Sequence, residues 1–242
     1  MATYLTPEQR AIWDGAVAFA RSNKKLIARR LTSRDVFPGE TQPVSVFMAG
    51  SPGAGKTEAS KELLSQLDGG AKVLRIDPDE LRSEFQAYSG SNSWLFQAGI
   101  SILVDKILDF ALEQKQSFLL DGTLSNYSIA ERNIERSLQK GRPVQILYVY
   151  QEPQFAWQFV LARENEEGRN IRPEQFVEQY FESRRVVEEL KRKFGQRVAV
   201  DLLYKPIGPG EKTYRDNVDQ IESHLPEKFS REQVLAITQR GA

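Results

Sequence analysis

Phe47-Met48-Ala49-Gly50-Ser51-Pro52-Gly53-Ala54-Gly55-Lys56-Thr57 decides how this 242-residue chain is read. Val44 to Ala49 is an apolar run with the character of a buried strand, and Gly50 to Thr57 fits G-x-x-x-x-G-K-[ST], a phosphate-binding loop. Gly50, Gly53 and Gly55 permit torsions and close approaches that a Cβ would block, so successive N–H groups can converge on phosphate oxygens. Lys56 supplies a point charge over β- and γ-phosphates, and the Thr57 hydroxyl suits Mg²⁺. Glu58 to Leu67 reads as a helix whose N-terminal partial charge faces the same anion. Strand, loop and helix come in the order such a site requires, which an accidental match would not. The expected nucleotide-binding residues are therefore Gly50, Ser51, Pro52, Gly53, Ala54, Gly55, Lys56, Thr57 and Glu58.

Downstream of the loop, Lys72 to Ile76 reads as a second strand ending at Asp77-Pro78-Asp79-Glu80. Asp77 suits an N-cap, with Pro78 at the first helical position and Glu80 completing a capping box for a helix through Phe85. A carboxylate at the carboxyl end of a strand beside the loop also faces the crevice where open α/β sheets bind ligands. Both readings hold together if Asp77 caps and Asp79 points into the cleft. After a long amphipathic helix over Trp94 to Gln114, Ser117-Phe118-Leu119-Leu120-Asp121 is a short apolar strand ending in an acid, followed by Gly122-Thr123. That arrangement suits Asp121 for holding Mg²⁺ or its water shell, against the plainer role of another helix cap. Tyr127 to Gln139 reads as a helix, Pro143 to Tyr150 as a fourth strand, and Pro153 to Glu164 as a further helix. Glu174 to Lys193 follows as a helix and Arg197 to Tyr204 as a fifth strand. Strands alternating with helices predict a parallel, doubly wound α/β sheet with helices on both faces.

Between two of those helices, Arg163-Glu164-Asn165-Glu166-Glu167-Gly168-Arg169-Asn170-Ile171-Arg172-Pro173 carries three arginines around a glycine turn. A closing lid needs such guanidinium groups to meet a transferring phosphoryl group. An exposed loop of Arg–Glu pairs is the plainer alternative. On the other side of the loop, Thr6-Pro7-Glu8-Gln9 starts a helix whose expected apolar face is Ile12, Trp13, Ala16, Val17, Phe19 and Ala20. The basic cluster Lys24, Lys25, Arg29 and Arg30 that follows reads as a solvated face, with a phosphate or partner site as the alternative. The tail is expected to hold a Gly/Pro loop at 206–212 and two short helices, Tyr214 to His224 and Ser230 to Gln239. The chain divides into an N-terminal helical segment (1–43), a core (44–205) and this tail (206–242), expected to form one domain.

Composition removes whole classes of function. The 33 basic and 33 acidic residues cancel, leaving no global pull toward nucleic acid or a membrane surface. With no cysteine there are no disulfides, zinc–thiolate sites or thiol chemistry. His224 is the only histidine, and its place before Leu225-Pro226 suits a helix end better than a catalytic triad. Neither a signal-peptide pattern nor a membrane-length apolar run is present, and a cytoplasmic location is expected. No Asn-Lys-x-Asp guanine-reading motif occurs, which counts against a GTPase-type switch.

Taken together, the loop, Asp79, Asp121 and the arginine stretch make the chain resemble the zeta-toxin family of phosphate-loop kinases, and more distantly chloramphenicol phosphotransferases. The resemblance covers roughly Val44 to Glu189. It implies a P-loop kinase fold with an arginine-bearing lid and transfer of the γ-phosphoryl group of ATP, or GTP, with Mg²⁺ to a hydroxyl of UDP-N-acetylglucosamine or a related UDP-amino sugar. It also implies restraint by a small antitoxin protein. Carried onto matching positions, it makes Asp79 the general base and Lys56 the loop lysine. Arg163 becomes one lid arginine, with Arg169 and Arg172 competing for the second because Arg172 intervenes before the proline. Thr57 and Asp121 are then the metal ligands, and Asp79, Arg82, Asp121 and Thr123 the acceptor-binding residues. Other acceptors, namely a nucleotide, an antibiotic or a polynucleotide end, and a nucleotide-dependent interaction switch are the alternative readings.

Overall fold

Five parallel strands carry the architecture, and their order follows from which of them must be shielded on both faces. The computed structural model describes residues 5–66, 72–168, 171–205, 212–225 and 228–240. β1 (Ser45–Ala49) is buried along its whole length. It pairs in parallel with β3 (Phe118–Leu120) on one side and β4 (Val144–Tyr150) on the other. β2 (Leu74–Ile76) lies outside β3, and β5 (Val198–Tyr204) outside β4, both parallel. A short sixth strand, β6 (Thr213–Arg215), closes that edge in antiparallel fashion, so the sheet runs β2-β3-β1-β4-β5-β6.

The helices are α1 (Pro7–Leu31), α2 (Lys56–Gln66), α3 (Gln97–Glu113), α4 (Tyr127–Gln139), α5 (Pro153–Glu167), α6 (Pro173–Phe194) and α7 (Arg231–Arg240). The capping box expected at Thr6 and Gln9 is formed, and α1 runs unbroken through the basic cluster. Its Ala16, Val17, Ala20, Ile27 and Ala28 are buried, and Lys25, Arg29 and Arg30 stay exposed. Small residues let α1 come close to α3: a Cβ on Gly99 would sit 3.0 Å from the Ala16 carbonyl oxygen. Phe47 and Phe118 meet edge to face in the sheet's core, with ring centroids 5.7 Å apart. Among the described residues no helix is long and apolar enough to cross a membrane.

Parallel pairing aligns the carboxyl ends of the strands. Phe47 pairs with Leu120 and Leu120 with Ile76, while Tyr150 pairs with Tyr204. The residues that follow, Asp77, Asp121, Gly50, Gln151 and Lys205, therefore form one row along a single edge of the sheet.

Three local expectations are corrected. The segment after Asp77 is a 3₁₀ turn over Glu80–Glu84 with Asp79 in the N-cap position and no side-chain cap bond. Asp77 Oδ1 instead accepts from the Asp79 N–H at 2.8 Å, a local turn that outcompetes a capped α-helix. The long helix expected from Trp94 opens as a 3₁₀ turn over Ser93–Phe96 before α3 begins. Tyr214 to His224, expected as a helix, instead supplies β6 and a short 3₁₀ turn over Glu222–His224. The cause is tertiary: buried Asp201 in β5 accepts from Tyr214 Oη at 2.6 Å and from the Asn217 N–H at 2.8 Å, drawing the segment onto the sheet edge. The Gly/Pro loop expected after β5 falls mostly at 206–211, outside the described residues.

Candidate active site

The loop between β1 and α2 is shaped by what its glycines allow. Gly50 has φ +131°, and a Cβ there would lie 2.2 Å from the Val149 carbonyl oxygen. Gly53, at φ +72°, would place a Cβ 2.0 Å from the Ala156 carbonyl oxygen, because α5 leans directly on the loop. Neither position accepts any side chain. The Gly50 N–H donates to the Thr123 carbonyl at 3.3 Å, tying the loop to the segment after β3. Leu124 then takes φ +53°, a left-handed conformation that costs a non-glycine residue on the order of 1 kcal/mol, so backbone strain sits beside the loop. Lys56 Nζ donates to the Gly50 carbonyl at 3.0 Å and the Ser51 carbonyl at 2.6 Å, and so lies over the loop.

On the β2–β3 side, carboxylates gather around arginine. Asp121, 6% exposed, accepts at Oδ2 from Ser60 Oγ at 3.0 Å and from Arg75 Nη2 at 2.7 Å. Arg75 also pairs with Asp77 at 2.5 Å and Glu80 at 2.6 Å. Burial alone would lower the Arg75 pKa, but the Asp121 hydrogen bond and the Asp77 and Asp121 charges outweigh it and hold it above its ordinary value. Burial pushes the Asp77 carboxyl up; the Asp79 N–H and Arg75 pull against it and only partly offset that. The expectation that Asp121 serves a metal thus meets a competitor that sequence reasoning did not consider. Its Oδ2 is already engaged by Arg75 and Ser60. Hard oxygen donors are nevertheless close together: Thr57 lies in the first turn of α2, and Ser60, which bonds the Thr57 carbonyl at 2.9 Å, reaches Asp121. That donor set fits Mg²⁺.

Asp79 lies between two arginines. Arg82 Nη2 reaches Asp79 Oδ1 at 3.2 Å, and Arg163 Nη2, from the last turns of α5, approaches Oδ2 at 3.9 Å. Arg82 is only 7% exposed, and its Nε and Nη1 have no hydrogen-bond partner among the described residues. The structure thus brings together two positions that the sequence holds 84 residues apart, Asp79 and Arg163. Arg172 stands exposed at the N-cap of α6 and makes no ion pair with Asp79 among the described residues. Arg169 lies outside the described residues. Thr123 contributes its carbonyl to Gly50, while its hydroxyl shares a hydrogen bond with Ser125 at 2.9 Å. Glu58 is exposed one residue past Thr57.

Sequence reasoning missed Arg75, Ser60 and Lys205. Arg75 had a signal: a lone arginine inside the apolar run Leu74-Arg75-Ile76, two residues before Asp77. Lys205 had one as well, since it directly follows the fifth strand and so ends on the same edge as the loop.

Among curated proteins none matches the sequence. A chain from the PezAT chromosomal toxin–antitoxin system of Streptococcus pneumoniae is 16% identical; the alignment covers 98% of this chain and 95% of that one, with a TM-score of 0.59. A chain of AvrRxo1-ORF1:-ORF2 solved with ATP is 19% identical over 90% of this chain and 72% of that one, with a TM-score of 0.58. Another AvrRxo1 complex, with sulphate ions, gives 19% identity, coverages of 92% and 73%, and a TM-score of 0.58. At these identities the likeness is one of fold. Sequence carries the assignment further, because residues 28–221, from the last turn of α1 past β6, match the zeta toxin family, and the chain belongs to that family.

Proposed function

We propose that this chain is a kinase that transfers the γ-phosphoryl group of ATP, or GTP, to a hydroxyl of a UDP-activated amino sugar such as UDP-N-acetylglucosamine. In this reading it acts as a toxin restrained by an antitoxin. The observation that carries it is the placement of Asp79 between Arg82 and Arg163, on the same sheet edge as the phosphate loop. The choice of ATP draws on the ATP-bound AvrRxo1 neighbour, the antitoxin on the PezAT system, and the acceptor on the family.

The residues divide the work by charge. The loop amides and Lys56 hold the β- and γ-phosphates, the lysine leaving the Gly50 and Ser51 carbonyls for phosphate oxygens. Thr57 and Asp121 would hold Mg²⁺, which would supply charge neutralisation for the phosphates. Asp79 accepts the proton of the acceptor hydroxyl as its oxygen bonds to the γ-phosphorus and the bond to the β,γ-bridging oxygen breaks. Arg163, with Arg169 or Arg172 as its partner, stabilises the charge spread over the transferring group. Since that transition state is loose, most of the rate comes from positioning, and Asp79 orients the nucleophile as well as deprotonating it. Arg82 and Thr123 serve the acceptor side.

The test is mass spectrometry of a metabolite pool incubated with ATP, Mg²⁺ and the protein, beside an Asp79→Asn control. One phosphate gained by UDP-N-acetylglucosamine or a close relative, and absent in the control, is the expected result. ATP binding with no phosphorylated small molecule would replace this reading with the interaction switch.

A further inference from the structure

Lys205, on the β5 side of the loop, is a cation whose position the proposed mechanism has not used. It follows the last residue of β5, and its backbone N–H donates to the Tyr150 carbonyl at 3.3 Å. Its side chain crosses from that strand to the phosphate loop, where Nζ donates to the Gly55 carbonyl at 2.8 Å. The fit is close: a Cβ on Gly55, which has φ +79°, would stand 2.6 Å from Lys205 Nζ. Glycine is needed there for the torsion, and the ammonium stands beside it.

That location is a poor one for a cation in the nucleotide-free protein. Gly55 immediately precedes α2, whose N-terminus carries the positive end of the helix dipole, and Lys56 is the next residue. The Gly55 carbonyl already accepts from the Ala59 N–H at 3.1 Å, so Lys205 is not needed to satisfy it. An ammonium has three donors, and among the described residues the Gly55 carbonyl is its hydrogen-bond acceptor. Lys205 is also half-buried, and burial pushes its pKa down, with Glu58 and Glu62 opposing and Lys212 reinforcing that shift. A cation whose folded pKa is depressed costs stability at neutral pH, and the cost disappears only as pH rises above the ordinary lysine range. What would offset it is an anion at the loop.

We infer that Lys205 is a nucleotide-binding residue, a second loop lysine reaching in from β5, whose ammonium is compensated by the phosphate chain of the bound nucleotide. This inference rests on the phosphate-loop reading of the site. It gives the fold a reason to spend a half-buried charge at a helix N-terminus: the charge is unfavourable in the empty loop and favourable once the loop is filled. The residue that follows β5 thereby contributes directly to nucleotide affinity.

Calorimetric titration of ATP with Mg²⁺ into the full-length wild type, Lys205→Gln and Lys205→Arg, with thermal unfolding of each protein with and without nucleotide, tests this. Glutamine keeps a donor for the Gly55 carbonyl and removes the charge, whereas arginine keeps the charge. The expected result is about tenfold weaker binding for Lys205→Gln, the scale of one charge-assisted hydrogen bond. Its nucleotide-free unfolding midpoint should be no lower than the wild type's, and Lys205→Arg should lie within about threefold of wild-type affinity. Unchanged affinity in Lys205→Gln overturns the inference, as does equal weakening in both variants, since charge would then not be the agent. Failure of Lys205→Gln to fold, or a lowered nucleotide-free midpoint with an intact nucleotide-induced shift, assigns Lys205 a purely structural role and overturns it too. A wild type that binds no ATP is a different failure: it removes the phosphate-loop reading itself.

Discussion

Two arginines stand at opposite ends of the same sheet, Arg142 buried and Arg75 partly so, and they are used in opposite ways. Arg75, at the carboxyl edge, is surrounded by carboxylates: Asp77, Glu80 and Asp121. Arg142, at the amino edge, touches carbonyls instead. It donates to the backbone oxygens of Gln116, Val44 and Pro43 and lies over the Phe118 ring at 5.0 Å. Burial pushes the Arg142 guanidinium down to about 10, with Glu40 the one charge opposing that, while the carboxylates hold Arg75 up. The amino edge spends a charge to tie off strand-end carbonyls, which is a structural use. At the carboxyl edge, charges balance one another across a surface that must accept a polyanion, which is a functional use. Placing them together shows that burial of an arginine says little about its role until its acceptors are known.

The comparison breaks first at Lys56. If the carboxyl edge is functional, Lys56→Ala should lower turnover about a thousandfold or more, while unfolding free energy measured in urea stays within about 0.5 kcal/mol of wild type. Unchanged turnover would undo the functional side of the contrast. The amino edge should behave in reverse. Arg142→Met should cost about 2–3 kcal/mol in urea unfolding, from orphaned carbonyls, with kcat per folded molecule unchanged. Loss of activity without loss of stability would show that the two edges are not divided in this way.

Gly53→Ala tests whether loop geometry and stability meet at one residue. A Cβ 2.0 Å from the Ala156 carbonyl forces the loop and α5 apart, so it should cost about 1–3 kcal/mol and abolish measurable ATP binding together. The smallest effect belongs to Asp77. Because burial raises its folded pKa, the native state holds that proton more tightly than the unfolded chain does. Its stabilising contribution is full below the ordinary carboxylate range and is lost as pH rises through the raised value. Urea titrations of wild type and Asp77→Asn should therefore diverge in the wild type's disfavour on going from acid to neutral pH. A divergence of opposite sign would mean that the Arg75 pair outweighs burial.

Much of this was legible beforehand, for reasons that are local. The loop Gly50 to Thr57 is a contiguous pattern whose glycines and lysine each answer a backbone or charge requirement, and α4 could be bounded at Tyr127 and Gln139 from its own periodicity. Parallel strands buried on both faces read as unbroken apolar runs, so β1, β3, β4 and β5 were visible in order. The helix expected over Tyr214 to His224 failed because its conformation is set by Asp201, a residue of another strand.

The sequence by itself therefore determined the alternation of strands and helices, the phosphate loop and the carboxylate and arginine candidates, because each is encoded within a short stretch by torsional freedom, periodicity or charge. Only the tertiary structure decided that Asp79 meets Arg163, that Asp121 is shared with Arg75 and Ser60, and that Lys205 reaches Gly55. Those pairings depend on strand order and register, which place residues far apart in the chain along one edge of the sheet, and no local pattern carries that information.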